Sequence, residues 1–261
     1  IGFLKSKKTG ALVDKETGQV FRVGRGDEED MYLEKAVAIK DLGQSNFWVL
    51  YGKSGSGKTH VASTFPKPML YLQVGDDGSN TISDKEGIMA IKITNLSQLK
   101  DILVELKTDD TYKTIVIDTF SMVVNEWIDT NAVKKAKRVT LQMWGDIKTD
   151  TEELIRGCHL LALHKNVVVT CHEATDSFEG LEDEVAPDIR PSVSKGARTY
   201  LEGMANFGIH TTVVSRNKEE GGVVKSEIVH AAHLPGNPYY WVKTQKDKDI
   251  KLPKLLVNPT Y

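Results

Sequence analysis

Short runs of apolar residues recur along the middle of the chain, and helix-length stretches separate several of them. The runs are rich in Val and Ile and alternate little with polar residues, which is typical of strands buried on both faces of a sheet. They occupy residues 46–51, 69–74, 87–93, 114–117, 166–171 and 209–214.

Two of the intervening stretches predict amphipathic helices. Residues 96–107 place leucine and isoleucine at helical spacing, and residues 151–164 do the same. Strands that alternate with helices are joined by right-handed crossovers, which produce a mostly parallel sheet. The pattern therefore predicts an α/β fold, in which a mostly parallel twisted sheet carries helices on both faces.

The same pattern divides the chain into three parts. Residues 1–43 form an N-terminal extension, in which apolar runs at 11–13 and 19–23 flank a polar turn and predict a hairpin. This extension is a candidate oligomerisation element. Residues 44–230 form the core. Residues 231–261 are polar and contain prolines, and they predict a tail wrapped on the core.

Composition narrows the class of protein. No run of about 18 apolar residues is present, so the sequence predicts no membrane-spanning helix and no membrane partner. The basic first residues lack the apolar centre of a signal peptide. Two cysteines, Cys158 and Cys171, are too few for a disulfide framework. The expected location is the cytoplasm.

The most informative motif follows the first apolar run of the core. It fits the Walker A pattern G-x-x-x-x-G-K-[ST], in which glycines let consecutive backbone N–H groups face phosphates. A helix that begins at His60 would add a favourable dipole. The predicted phosphate-binding residues are Gly52, Lys53, Ser54, Gly55, Ser56, Gly57, Lys58, Thr59 and His60. The alternative is a glycine turn that matches by chance.

Two of these side chains carry the expected chemistry. Lys58 reaches the β- and γ-phosphates, and the Thr59 hydroxyl binds Mg²⁺. A second metal ligand is predicted at Asp118, which ends a buried strand as a Walker B acid does and would hold Mg²⁺ through water. The alternative for Asp118 is a helix cap. The predicted cofactors are thus ATP and Mg²⁺.

Candidates for the hydrolytic step lie at the ends of two other strands. Asp76 and Asp77 follow the run 69–74, and one of them could orient the attacking water; an Asp-Gly turn is the alternative. His172 follows the run 166–171, where a polar residue can sense the γ-phosphate, or can cap the next loop.

Together these motifs look like the core of RecA-like ATPases. More narrowly, they resemble the small phage-encoded RecA-like proteins linked to single-strand annealing and recombination. The resemblance covers about residues 46–214 and includes the 141–145 segment, Leu-Gln-Met-Trp-Gly, and the strand that ends in Thr-Cys-His-Glu at 170–173. It implies a RecA-like P-loop NTPase core, single-stranded DNA as a partner, self-association into a ring or filament, and the host cytoplasm if a phage encodes it.

The resemblance also implies two DNA-binding loops. The first, after the Asp118 strand, contains a basic cluster that can neutralise phosphates or can be a solvated helix face. Its members are Lys134, Lys135, Lys137 and Arg138. The second loop, after His172, departs from the family pattern, because residues 173–188 carry seven acidic side chains and no Lys or Arg.

Relatives that form filaments or rings place the nucleotide between subunits and take a cation from the neighbour. Lys246 and Lys248 are the candidates for that trans-acting role, since a lysine at the γ-phosphate would stabilise charge as an arginine finger does. A solvated basic tail is the alternative.

Charge and the remaining alternatives complete the prediction. With 34 basic and 36 acidic residues the chain has no uniformly basic coat, but the charge is segregated, so one narrow DNA-binding strip is compatible with it. A DNA-dependent ATPase in recombination, annealing or repair is favoured. A small-molecule phosphotransferase is the second hypothesis, although arginines for a lid over the phosphates are scarce. The third is a nucleotide-propped assembly module without DNA activity, that is, a protein in which bound nucleotide only stabilises the fold for assembly with other proteins.

Overall fold

The computed structural model describes most of the chain from Ser45 onward and three short strands before it. The described residues are 3–5, 12–14, 20–21, 45–75, 78–128, 140–176, 188–220, 223–235, 239–244 and 253–261. Contacts divide the chain into two compact units, Ile1–Gly43 and Gln44–Tyr261.

The described part of the first unit is a small antiparallel sheet. Its strands are β1 (Phe3–Lys5), β2 (Leu12–Asp14) and β3 (Val20–Phe21), in the order β1-β2-β3. Leu12 is paired with Phe21 and Val13 with Val20. The antiparallel pairing of β2 with β3 is the hairpin that the sequence predicts.

An eight-stranded sheet forms the centre of the second unit. The strands of this unit are β4 (Asn46–Tyr51), β5 (Met69–Val74), β6 (Ile88–Ile93), β7 (Thr114–Asp118), β8 (Asn166–Cys171), β9 (Glu173–Asp176), β10 (Asp188–Pro191), β11 (Phe207–Glu220), β12 (Val223–His233) and β13 (Leu255–Val257). The main sheet has the order β13-β12-β11-β4-β8-β7-β5-β6, and its strands from β11 to β6 are parallel. β9 and β10 form a separate antiparallel pair. The predicted mostly parallel α/β fold is confirmed.

Helices cover both faces of this sheet. They are α1 (Lys58–Ala62), α2 (Leu96–Glu105), α3 (Phe120–Met122), α4 (Leu141–Leu161) and α5 (Lys195–Met204), with a 3-10 turn at Ser79–Ile82 and a π-helical segment at Val123–Ile128. Successive strand residues point to opposite faces. Phe47 and Val49 therefore belong to the core cluster with α2, α4 and α5, whereas Leu50 belongs to the cluster with α1. No described helix has both the length and the apolarity to cross a membrane.

Two elements differ from the prediction for a common reason. α4 begins at Leu141, ten residues before the predicted start at residue 151, and the Thr140 hydroxyl caps it by accepting a hydrogen bond from Met143 N at 3.2 Å. Leu141 is 93% exposed, and Ile147 is the only buried residue among residues 141–150, so the apolar period that marks a helix is weak in the first half of α4. β6 is also exposed at most positions, because it is the edge strand and not a strand buried on both faces.

A long two-stranded ribbon continues beyond the sheet. β11 pairs with β4 only over residues 207–210, and β12 pairs with β13 only over residues 231–233. Residues 213–220 and 223–230, here called the ribbon, therefore pair only with each other. Because β11 runs parallel to β4, the ribbon extends on the side where β4 enters the Walker A loop. The sequence predicts only residues 209–214 of this pair as a strand, and the predicted tail boundary at residue 231 falls within β12.

Candidate active site

The Walker A loop connects β4 to α1 and is held between two neighbouring strands. Gly52 N donates a hydrogen bond to the carbonyl of Cys171 at the end of β8. On the other side, Ser56 Oγ lies 2.7 Å from Thr211 Oγ1 on β11. Lys53, Ser54 and Gly55 are exposed at the top of the loop. The loop thus has a fixed base and an open rim, which suits the binding of an anion by backbone N–H groups.

Lys58 lies beneath this loop. Its side chain is buried, and Nζ donates hydrogen bonds to Gly52 O at 2.9 Å and Lys53 O at 2.8 Å. The ammonium group therefore lies at the centre of the curve that the loop backbone describes. A single positive charge at this position is suited to a polyphosphate.

Asp118 is the centre of a buried network of hydroxyl groups. Its Oδ2 accepts hydrogen bonds from Thr59 Oγ1 at 2.7 Å and from Tyr71 Oη at 2.6 Å. Its Oδ1 accepts hydrogen bonds from Thr119 Oγ1 and Thr170 Oγ1. Although Asp118 is only 3% exposed, its oxygens are satisfied by these donors, as a buried carboxylate requires.

The pleat of the sheet explains why these groups meet. Tyr71 on β5 and the buried Val116 and Val168 on β7 and β8 all point to the face that α1 covers. Asp118 and Thr170, two residues farther along their strands, point to the same face. Since β8 lies between β4 and β7, about 10 Å separates the loop-bearing strand from the acid-bearing strand. α1 spans that gap and brings Thr59 to Asp118.

His172 lies where β8 ends. Its backbone N donates a hydrogen bond to Ser121 Oγ at 2.9 Å, and its carbonyl accepts one from Ser192 N at 2.7 Å. These two bonds fix the backbone from which the imidazole extends into the cavity described next. The next residue, Glu173, begins β9.

A cavity of about 540 Å³ joins these groups. It is lined by Ser54, Gly55, Gly57, Lys58, Thr59, His60, Gly78, Asn80, Thr81, Asp118, Thr119, His172 and His230. The donor set fits a nucleoside triphosphate with Mg²⁺, because it combines backbone N–H groups and an ammonium with the hydroxyl and carboxylate oxygens that Mg²⁺ prefers. A Cβ at Gly78 would lie 2.7 Å from Thr59 Oγ1, so the chain after β5 closes tightly on the metal side of the cavity.

The structure brings most of the predicted site residues together. Six residues of the Walker A prediction line one cavity with Asp118 and His172. Gly52, Lys53 and Ser56 form the base and rim of the loop. Several predicted residues lie outside the described residues, and their roles stay predictions: Asp76, Asp77, Lys134, Lys135, Lys137, Arg138, Lys246, Lys248 and most of the acidic loop.

Three residues of the site are not part of the sequence prediction. Tyr71 and Thr170 bind the Asp118 carboxylate, and His230 of β12 lines the cavity. For Tyr71 and Thr170 a signal exists, since each is a hydroxyl group within a buried apolar strand. For His230 the sequence gives no such signal, because its place depends on the pairing of β12 with β11.

A second polar cluster lies beside the loop. His210 of β11 has its Nε2 atom 2.8 Å from Glu173 Oε2, and its ring stacks on Tyr240 with a centroid distance of 4.0 Å. His233 stacks on the same Tyr240 ring. Burial lowers the pKa of His210 in spite of the neighbouring Glu173 carboxylate, and burial also lowers the pKa of His233.

These shifts predict a loss of stability in acid. A histidine whose pKa is lowered by folding contributes stability that is present above its unfolded pKa of about 6.5 and is lost as the pH falls through its folded pKa. Urea unfolding at decreasing pH is expected to show this loss, and His210→Gln is expected to reduce the slope, leaving the part that His233 contributes. The exposed His164→Gln is the control. An unchanged slope in His210→Gln would contradict the assignment.

Comparison with known proteins gives one family. No curated protein matches the chain at a significant level. A family model described as an AAA domain matches residues 46–233, which span the sheet from β4 to β12 and all the described residues of the cavity. The chain therefore belongs to the AAA domain family and carries a P-loop ATPase domain.

Proposed function

We propose that this chain hydrolyses ATP in response to single-stranded DNA, as a RecA-like protein that assembles from several copies. The observation that carries the hydrolytic part is the 2.7 Å contact between Thr59 and Asp118, with Lys58 under the same loop. It places a hydroxyl, a carboxylate and an ammonium around one cavity, which is the combination that phosphoryl transfer needs.

Phosphate binding, metal binding and positioning of the acid are assigned to different residues of the site. Backbone N–H groups of the loop and Lys58 bind the β- and γ-phosphates. Thr59 and Asp118 hold Mg²⁺, which when bound neutralises charge that develops on the phosphate oxygens. Tyr71 and Thr170 fix the carboxylate from the sheet side.

Orientation of the attacking water is assigned to the strand ends beside the γ-phosphate. His172 extends from β8, the strand between the loop strand and the acid strand, and its backbone is fixed by Ser121. Asp76 and Asp77 follow β5 and are the proposed carboxylates for the same step.

Support for a DNA partner comes from where two segments attach. The basic cluster at 134–138 belongs to the connection after β7, and the acidic loop belongs to the connection after β8, the neighbouring strand. The base of the acidic loop is tied to the site, because Glu173 contacts His210 and Tyr51 Oη, at the end of β4, donates a hydrogen bond to Ile189 O at 3.1 Å. Nucleotide and DNA would thus act on connected elements.

Support for assembly comes from the segment before the trans-acting lysines. Gly208 and Lys243 exchange two backbone hydrogen bonds of 2.7 and 3.0 Å. The chain that leads to Lys246 and Lys248 is therefore fixed to the base of β11. From there we propose that these lysines act on the nucleotide of a neighbouring copy.

The test is ATP hydrolysis measured with and without single-stranded DNA, together with particle images. Stimulation by DNA that weakens steeply with salt, and rings or filaments, are expected. A phosphorylated small molecule made without DNA would instead support the phosphotransferase. ATP binding without any hydrolysis would support the nucleotide-propped module.

A further inference from the structure

The nucleotide cavity is bordered from two sides of the Walker A strand. Asp118, His172 and Gly78 come from β7, β8 and the chain after β5, which all lie on one side of β4. His230 comes from β12, which lies on the other side of β4, beyond β11. The wall that faces away from the metal ligands is therefore part of the ribbon.

One face of the ribbon has a distinctive composition. The register pairs Val213 with His230 and Ser215 with Ile228, and paired residues share a face. The pair of Asn217 and Ser226 continues this side. None of its residues is Asp, Glu, Lys or Arg, and it is called here the uncharged face; it consists of Val213, Ser215, Asn217, Ser226, Ile228 and His230. The opposite face carries Arg216 paired with Glu227.

The uncharged face is accessible and apolar near the cavity. Ile228 is 77% exposed and Val213 is 44% exposed. Val213 pairs with His230 of the cavity wall, and Ile228 lies two residues from His230 along β12. Ser215 and Ser226 bond to each other through their hydroxyl groups at 2.6 Å. Such a surface is unsuited to a triphosphate but suits a neutral aromatic base.

His230 makes this face continuous with the Walker A loop and Lys58, which together are called here the phosphate cradle. A Cβ at Gly57 would lie 3.0 Å from Nδ1 of His230, so the imidazole lies directly against the loop. His230 is exposed and lines the cavity, and Ile228, two residues earlier in β12, points to the same face. Ile228 is therefore the next residue of the uncharged face beyond the cavity wall.

The direction of the bound nucleotide follows from the metal side. Thr59 and Asp118 would hold Mg²⁺ beside the terminal phosphates, so they would mark the γ-phosphate end of the ligand. The α-phosphate and the nucleoside must then leave in the direction away from Asp118, towards the ribbon.

We propose that the uncharged face of the ribbon is the nucleoside subsite of this ATPase. His230 lies at the junction of phosphates and ribose, and Ile228 and Val213 pack against the base. This assignment rests on the proposed function, since it presupposes a triphosphate in the cradle. It gives the ribbon a role in binding that the Walker motifs do not contain.

The test compares two ligands by calorimetry in the presence of Mg²⁺: ATP, and inorganic tripolyphosphate, which lacks the nucleoside. Ile228→Ser is expected to weaken ATP binding about tenfold through lost apolar contact and to leave tripolyphosphate binding unchanged. Because Ile228 is exposed, the variant is expected to fold. Glu227→Gln, the neighbouring residue on the opposite face, is the matched control and should change neither affinity.

Two results would overturn the subsite: unchanged ATP binding in Ile228→Ser, or an equal loss for both ligands. Lys58→Ala separates this inference from the proposed function. If Lys58→Ala weakens both ligands and Ile228→Ser weakens neither, only the nucleoside subsite is wrong. If Lys58→Ala weakens neither ligand, the cradle itself is not a triphosphate site and both proposals fail.

Discussion

Asp118→Asn is expected to lower kcat for ATP hydrolysis by about 100-fold or more. The substitution keeps the shape of the side chain but removes the negative charge that holds Mg²⁺, and stabilisation of transition-state charge by a metal contributes several kcal/mol, at about 1.4 kcal/mol for each factor of ten. The amide would also place N–H donors among the four hydroxyl groups that now donate to the carboxylate. The measurement is steady-state hydrolysis at saturating ATP and Mg²⁺.

The matched control for this variant is Asp146→Asn. Asp146 is an exposed carboxylate on α4, so the same chemical change is made far from the hydroxyl network. Thermal unfolding of both variants separates a loss of chemistry from a loss of fold, because Asp118 is buried and Asp146 is not. A folded Asp118→Asn protein with unchanged kcat would contradict the metal role.

Replacing the basic cluster is expected to abolish the stimulation of hydrolysis by single-stranded DNA. The variant carries Lys134→Ala, Lys135→Ala, Lys137→Ala and Arg138→Ala, and its basal hydrolysis is expected to be unchanged because the phosphate cradle is intact. If all four side chains contact phosphates, the slope of log affinity against log salt concentration should fall by about 3. DNA-binding titrations at several salt concentrations measure this slope.

The control for the basic cluster removes the same charge elsewhere. Four exposed lysines serve, each changed to Ala: Lys107, Lys113, Lys148 and Lys254. A more negative net charge would weaken DNA binding slightly and equally in both variants, whereas a local site would be lost only in the first. Stimulation that survives in the first variant would refute this DNA site.

The sheet was predictable because the local sequence of each buried strand is enough to identify it. The runs at 46–51, 69–74 and 166–171 coincide with β4, β5 and β8, since buried parallel strands are apolar on both faces. Most of the ribbon, beyond residue 214, and the first half of α4 were not predictable. Their residues lie at the surface: Ile228 is 77% exposed and Leu141 is 93% exposed. Exposed apolar residues such as these do not follow the period of a buried face.

The residues of the candidate site also fall into two groups, those that a local motif identifies and those that depend on the fold. The Walker A residues are contiguous in sequence, so a motif is enough to identify Lys58 and Thr59. Tyr71, Thr170 and His230 join them only through sheet order, which places β5, β7 and β8 side by side and β12 beyond β11. Sheet order depends on long-range pairing that local propensity does not encode. The partners of Asp118 therefore became visible only in three dimensions.

The hydroxyl group of Tyr51 affects local unfolding of the chain around the Walker A strand. It lies within hydrogen-bond distance of the Ile189 and Trp241 carbonyls, at 3.1 and 2.8 Å, and so joins the last residue before the Walker A loop to two other segments. The segment 239–244 is thereby part of the same cooperative unit as the cradle. Fraying of that segment would expose a buried phenol, so it is opposed by the whole core and not by local contacts alone.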